Sequence, residues 1–183
     1  LCRDAEIGLD VGEPAMHEGE LVSSSRIRKL LCRGDVISAG ELLGRAYSVR
    51  GRVVAGEGRG RELGVPTANL SEIVTLVPGG GVYVGVVEID GRPQPAAVHV
   101  GGNPTFGEVE QKVEVHLLAF DGDLYGQELT VKFLQPVRET QVFESVDLLR
   151  SQLAADIEAV WSYVETHPAD GSGTGEVGHP EVS

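Results

Sequence analysis

Residues 81–100 read GVYVGVVEIDGRPQPAAVHV, and this stretch decides the fold class. Val82–Ile89 and Ala96–Val100 are runs dominated by β-branched residues, whose stiff side chains suit a pleated strand. Between them Asp90-Gly91-Arg92-Pro93 is a turn signal, so the two runs read as a β-hairpin. Working outward, residues 46–55 alternate as a strand, with Tyr47, Val49, Val53 and Val54 as the apolar members. A short strand is expected over Thr67–Leu70. Val109–Phe120 and Leu129–Leu134 read as two more, set around Asp121-Gly122-Asp123 and Tyr125-Gly126. Five or six short strands with Gly-rich turns predict a closed barrel.

The flanks are helical. Ser145 caps an amphipathic helix running to Glu165, with Leu148, Leu149, Leu153, Ile157, Val160, Trp161 and Val164 at helical spacing. That stripe should lie on the barrel as core. Upstream, Ser25 caps a short helix through Cys32, Gly34-Asp35 breaks it, and a second helix from Val36 to Leu43 stops at Gly44. Leu1–Glu20 has little pattern, and the acidic Gly/Pro/Ser-rich residues 167–183 read as disordered. No internal repeat is visible.

Composition narrows the class. The 183 residues are 41% hydrophobic, enough for a core, and carry a net charge of −13, which argues against a nucleic-acid partner. Without a long apolar run no membrane span is indicated, and no signal peptide is visible. Cys2 and Cys32 show neither metal spacing nor a disulfide framework, so a cytoplasmic setting is the default. The charge is uneven. Nine of the fifteen Lys and Arg residues lie between Arg26 and Arg61, against three acids, leaving −19 on the remainder. Such asymmetry draws anions to one region of an acidic surface.

The chemistry is concentrated in residues 56–69, GEGRGRELGVPTAN. Gly56, Gly58 and Gly60 lack Cβ atoms, so backbone amides can approach an anion closely and form a nest. Arg59 and Arg61 either meet that anion or are solvated loop arginines. Thr67 and Asn69 point the same way if the segment is extended. A hydroxyl and an amide oxygen beside a phosphate-sized nest suit Mg²⁺ bridging a nucleotide's phosphates. The suggested chemistry is nucleotide-dependent phosphoryl transfer. By itself the loop is equally readable as plain turns, because no Gly-Lys-Ser/Thr follows to complete a Walker A motif. Glu114, between Val113 and Val115, is on pattern alone either a solvent-facing strand position or a partnered carboxylate.

From about Leu43 to Glu165 the chain resembles the riboflavin kinase (flavokinase) domain found at the C-terminal end of bacterial bifunctional riboflavin kinase/FAD synthetases. The matching blocks, in order, are LLGRAYSVRGRVVAGEGRGRELGVPTANL, GVYVGVVEIDG, AAVHVGGNPTFG, VEVHLLAFDGDLYG and VRETQVFESVDLL. The resemblance implies a mainly β fold: a six-stranded antiparallel Greek-key barrel with a C-terminal helix, here with a short N-terminal helical extension. It implies an ATP:riboflavin 5′-phosphotransferase giving FMN and ADP with Mg²⁺, a catalytically weak flavin- or nucleotide-binding remnant being the alternative. Residues 45–166 would be the kinase domain.

Residues 1–44 would be a partly disordered remnant of the adenylyltransferase module, since Ser23-Ser24-Ser25-Arg26-Ile27-Arg28 is similar to that module's phosphate-contacting motif. Its H-x-G-H signature is absent and 44 residues are too few for a Rossmann-type domain, so no FAD synthetase activity is expected. The missing module is the one macromolecular partner implied.

By the same resemblance Glu114 is the catalytic base, and Thr67 and Asn69 hold Mg²⁺ and phosphate. Gly56, Gly58 and Gly60 form a flap over the nucleotide, with Tyr125 near it or simply packing. Arg138 and Phe143 belong to a loop closing over the flavin, and Asn103-Pro104-Thr105-Phe106 to a turn supporting the flavin-side wall. His116 reads as a hydrogen-bonded structural histidine and Trp161 as core. One departure concerns Ala119, where relatives commonly carry Asp.

Overall fold

A computed structural model describes residues 13–102 and 111–168. The expectations for residues 1–12, for 169–183 and for Asn103–Phe106 fall outside them. Eight strands and four helices are described: β1 (Met16–His17), β2 (Glu20–Leu21), α1 (Ser24–Cys32), α2 (Val36–Leu43), β3 (Tyr47–Val54), α3 (Arg59–Glu62), β4 (Ala68–Ser71), β5 (Gly81–Ile89), β6 (Arg92–Gly101), β7 (Lys112–Leu117), β8 (Glu128–Arg138) and α4 (Val146–Thr166). Six strands close into an antiparallel barrel in the order β3-β4-β7-β6-β5-β8, as the residue pattern and the resemblance both anticipate.

Local chemistry explains most boundaries. The β5–β6 turn needs only Asp90 and Gly91, at φ 51° and 74°, so Arg92 and Pro93 belong to the strand instead. Two positive-φ residues match the strand twist, which makes this hairpin tighter than a four-residue turn. The same device forms the β1–β2 ribbon, where Glu18 and Gly19 sit at φ 52° and 79°, in a segment whose sequence carries little pattern. Helix α1 starts two residues earlier than a Ser25 cap would place it: the Arg26 amide donates to Ser23 Oγ at 3.3 Å, making Ser23 the cap. Asp35 caps α2 by accepting from the Ser38 amide at 3.0 Å, and Gly44 ends it in the left-handed region at φ 67°. Ala119 takes a left-handed φ of 50° in the turn after β7. That conformation tolerates Asp better than Ala, so the Asp that the resemblance leads one to expect would have a backbone reason.

Alternation divides the strands into faces. On β7, Val113, Val115 and Leu117 are buried while Lys112, Glu114 and His116 lie on the outer face. The inner faces form one core with Tyr83 and Phe133 packed edge to face, their centroids 5.3 Å apart. Tyr83 is buried, which raises its pKa, and its hydroxyl donates to the Gly79 carbonyl. Leu31, Val36 and Ala39 of the N-terminal helices belong to that same core, so α1 and α2 are built into the barrel's packing. A second cluster forms outside the barrel, where Val84 and Leu118 meet Val160 and the half-buried Trp161 of α4. The α4 stripe differs from the sequence reading at two places: Leu148 is exposed, and Asp156 is buried.

Candidate functional site

The barrel register sets chemistry-bearing side chains in a row. Val54 on β3 opposes Asn69 on β4, and Asn69 opposes Glu114 on β7. Glu114 opposes His99 on β6, His99 opposes Val82 on β5, and Val82 opposes Arg138 on β8. Directly opposed residues share a face, so the row runs across the outer surface through five strand junctions. The sequence reading of Asn69, Glu114 and Arg138 drew on blocks far apart in the chain; the barrel aligns them. Along the row lies a cleft of about 820 Å³.

One wall of the cleft is the loop from Gly56 to Pro66. Gly58, at φ 77°, caps the single helical turn Arg59–Glu62 within it. A Cβ at Gly56 would collide with the Asn69 amide, and one at Gly60 would collide with the Val65 carbonyl and come within 3.2 Å of Thr67 Oγ1. Gly60 therefore requires glycine for space, since its obstacle is backbone, whereas a Cβ at Gly56 would have to displace the Asn69 side chain. Arg59 pairs with Glu57, which also faces Lys112 Nζ on β7 at 3.8 Å, tying the loop toward the barrel. Thr67 enters β4 beside Asn69, fixed from behind by His116. The His116 Nδ1 donates to the Pro66 carbonyl at 2.8 Å, since a carbonyl can only accept. Burial lowers the His116 pKa, and that hydrogen bond partly offsets the effect. His116 is thus the hydrogen-bonded structural histidine expected of it.

Glu114 is partnered. Its Oε2 lies 3.1 Å from His99 Nδ1, and the two side chains are 19% and 22% exposed. The opposite end of the cleft is built around Arg138. Its Nε and Nη2 donate to the two Asp156 oxygens at 2.8 and 2.7 Å, and its Nη1 donates to the Glu139 carbonyl at 3.0 Å. Gln152 donates to Asp156 Oδ1 at 2.9 Å, and the Phe143 ring sits 5.7 Å from the Arg138 guanidinium carbon. Asp156 is 3% exposed. Arg138 therefore spends much of its hydrogen-bonding capacity on α4, and Phe143 is braced beside it. Tyr125 stands at the rim with an exposed ring, so it is not a packing residue.

Thr67 and Asn69, two residues apart, both line the loop end of the cleft. Thr67 Oγ1 and the Asn69 amide oxygen are hard ligands, and the glycines keep the space beside them clear. Among the described residues no three His, Cys, Asp or Glu side chains gather as a metal cage. The residues present thus fit an ion that keeps waters and phosphate oxygens as most of its ligands, which is how Mg²⁺ is commonly held. Two residues escaped the sequence reading. His99 carries no motif of its own. Asp156 left a signal, because it occupies a core position of the stripe Leu149, Leu153, Asp156, Val160 where a charge demands a partner.

The Flavokinase family model, described as riboflavin kinase, matches residues 43–164. The bifunctional riboflavin kinase/FMN adenylyltransferase of Pseudomonas fluorescens is 43% identical over 143 residues, covering 78% of this chain and 46% of that protein. Its Escherichia coli K12 counterpart is 37% identical over 139 residues, covering 75% of this chain and 44% of that protein. The chain therefore spans about half the length of the curated relatives it matches. A crystal structure described as a macrolide-efflux protein from Streptococcus pneumoniae is 42% identical with a TM-score of 0.72, covering 80% of this chain and 49% of that one. Among the described residues no helix is long and apolar enough to cross a membrane.

Proposed function

The chain belongs to the riboflavin kinase family, and from that membership we propose that it transfers the γ-phosphoryl group of ATP to the 5′-hydroxyl of riboflavin, releasing FMN and ADP. The observation that carries the reading is the register opposing Asn69 to Glu114, one strand apart on the cleft floor. Asn69 stands at the mouth of a glycine-cleared loop suited to phosphates, and Glu114 beside it offers a carboxylate for the attacking hydroxyl. From Asn69 to Arg138 the row crosses four junctions, roughly 19 Å along the sheet at ~4.8 Å each. That length accommodates the terminal phosphates at one end and a flavin ring at the other.

In this reading loop 56–66 covers the β- and γ-phosphates with its backbone amides. Thr67 and Asn69 hold Mg²⁺, which when bound neutralises charge building on the phosphoryl oxygens. Glu114 accepts the proton of the ribityl 5′-hydroxyl as that oxygen attacks phosphorus, and it holds the oxygen in line with the departing ADP. Tyr125 borders the nucleotide. Phe143, braced by the Arg138–Asp156 pair, borders the isoalloxazine. Arg138 supports this wall first and contacts flavin with the capacity left over. The proposal concerns the kinase reaction, because the family match lies over residues 43–164.

The test is direct. The full chain is incubated with riboflavin, ATP and Mg²⁺, and products are separated by chromatography. FMN should form, should disappear on chelation with EDTA, and should return when Mg²⁺ is restored in excess. Flavin binding with no FMN under any of these conditions would favour the binding-remnant reading.

A further inference from the structure

We infer that His99 is the positioning residue of the Glu114 carboxylate: its Nδ1–H donates to Oε2 and leaves Oε1 for the incoming hydroxyl. The inference deepens the proposed kinase reading and rests on Glu114 being the base.

The backbone holding His99 is unusually well fixed. Val98 and Val100, on either side of it, are each fully buried in the barrel core. Its strand β6 is laddered on both edges, to Val82 on β5 and to Glu114 on β7. With its Cα held by neighbours on two sides, the imidazole has only two side-chain torsions left to set. The carboxylate opposite has three. An unbraced glutamate on an open cleft floor samples several rotamers, and the braced one is limited to those that keep the 3.1 Å contact.

The cleft also holds a competitor for a loosened Glu114. Lys112 is two residues earlier on the same outer face of β7, with its ammonium turned to Glu57 of the phosphate loop at 3.8 Å. A carboxylate released from His99 can swing toward that ammonium, which would draw it from the hydroxyl and loosen the loop together. Among the other charged groups lining the cleft, Arg59 pairs with Glu57, Glu72 is reached by Arg52, and Arg138 pairs with Asp156. His116, on the far side of Glu114 along β7, gives its Nδ1–H to Pro66. The imidazole that meets Glu114 is thus His99. Its function here is steric and directional: which oxygen of the carboxylate faces the substrate, and how often.

This assignment separates the two ring nitrogens, which allows a sharp test. The side-chain amide of Asn superimposes on Nδ1 of His, while that of Gln reaches to the position of Nε2. His99→Asn, His99→Gln and His99→Leu would be made in the full chain, and steady-state FMN formation measured for each beside Glu114→Gln. Riboflavin affinity by fluorescence quenching and the thermal midpoint report whether each variant is folded. His99→Leu should lower kcat by about 10²-fold, the loss expected when a reacting group is misplaced by about 1 Å. KM for ATP and riboflavin should stay within about twofold. His99→Asn should recover most of the rate and His99→Gln little of it. In the Glu114→Gln background, His99→Leu should cost almost nothing further, because its effect passes through the carboxylate.

Equal activity of the Asn and Gln variants, or an undiminished kcat for His99→Leu, would overturn the assignment. If His99→Leu fails to fold, the Asn and Gln pair decides it unaided. A fully active Glu114→Gln would instead remove the kinase reading of Glu114 on which this inference stands, so the two failures are told apart.

Discussion

At the residue scale, the site depends on small facts about space and protons. Gly56 and Gly60 are legible in the sequence as part of a glycine-rich loop, but their reason is visible only in three dimensions, where Asn69 and the Val65 carbonyl occupy the volume a Cβ would need. His116 gives a pH signature. Its folded pKa lies below the ordinary histidine value because burial disfavours the imidazolium. The unfolded chain therefore binds a proton first as pH falls, so the stability tied to neutral His116 is complete above pH ~6.5 and drains as pH drops through the folded pKa. In metal-free buffer, the urea midpoint should fall between pH 7 and 5, and His116→Asn, which keeps a donor for the Pro66 carbonyl, should flatten that slope. An unchanged slope in the variant would assign the pH dependence to other groups.

At the element scale, β7 and α4 carry the site between them. Glu114 was ambiguous in sequence because alternation alone cannot say whether an outward residue faces water or a cleft. The register resolves this, since β4 and β6 bring Asn69 and His99 to either side of it. For α4 the apolar stripe was legible and its one buried charge was overlooked. Asp156 is a core position occupied by a carboxylate, and it is held by a two-point contact with Arg138. Removing one partner of such a pair strands the other: Asp156→Leu should cost about 3–5 kcal/mol in urea unfolding. The double variant Arg138→Met with Asp156→Leu should recover most of that loss, because apolar side chains of similar volume often replace a buried pair at little cost. Recovery of stability without recovery of flavin affinity would mark the pair as the brace of the flavin-side wall. A single-variant cost below 1 kcal/mol would show that the pair holds nothing.

For the whole molecule, the barrel and the N-terminal helices share one core. Barrel class was readable from strand count, β-branched runs and Gly-rich turns, and closure from the number of short strands. The packing of α1 and α2 was less readable, because a short amphipathic helix shows which face is apolar and not what that face covers. Leu31, Val36 and Ala39 turn out to lie in the same cluster as Val49, Phe133 and Val131. Leu31 lies outside the residues matched to the kinase family, yet Leu31→Ala should lower stability by about 2–5 kcal/mol, as a barrel-core truncation would. Chemical denaturation with one cooperative transition should report it; a loss under 1 kcal/mol, or a separate early transition, would make the helices an appendage.

The proposed phosphoryl transfer turns on one carboxylate, Glu114, opposed to Asn69 across a single strand junction. Its most direct measurement is the rate of FMN formation by Glu114→Gln at saturating Mg²⁺-ATP and riboflavin, alongside riboflavin binding. Turnover lowered by ~10²–10⁴-fold with binding retained is the predicted result; turnover equal to that of the unaltered chain would contradict it.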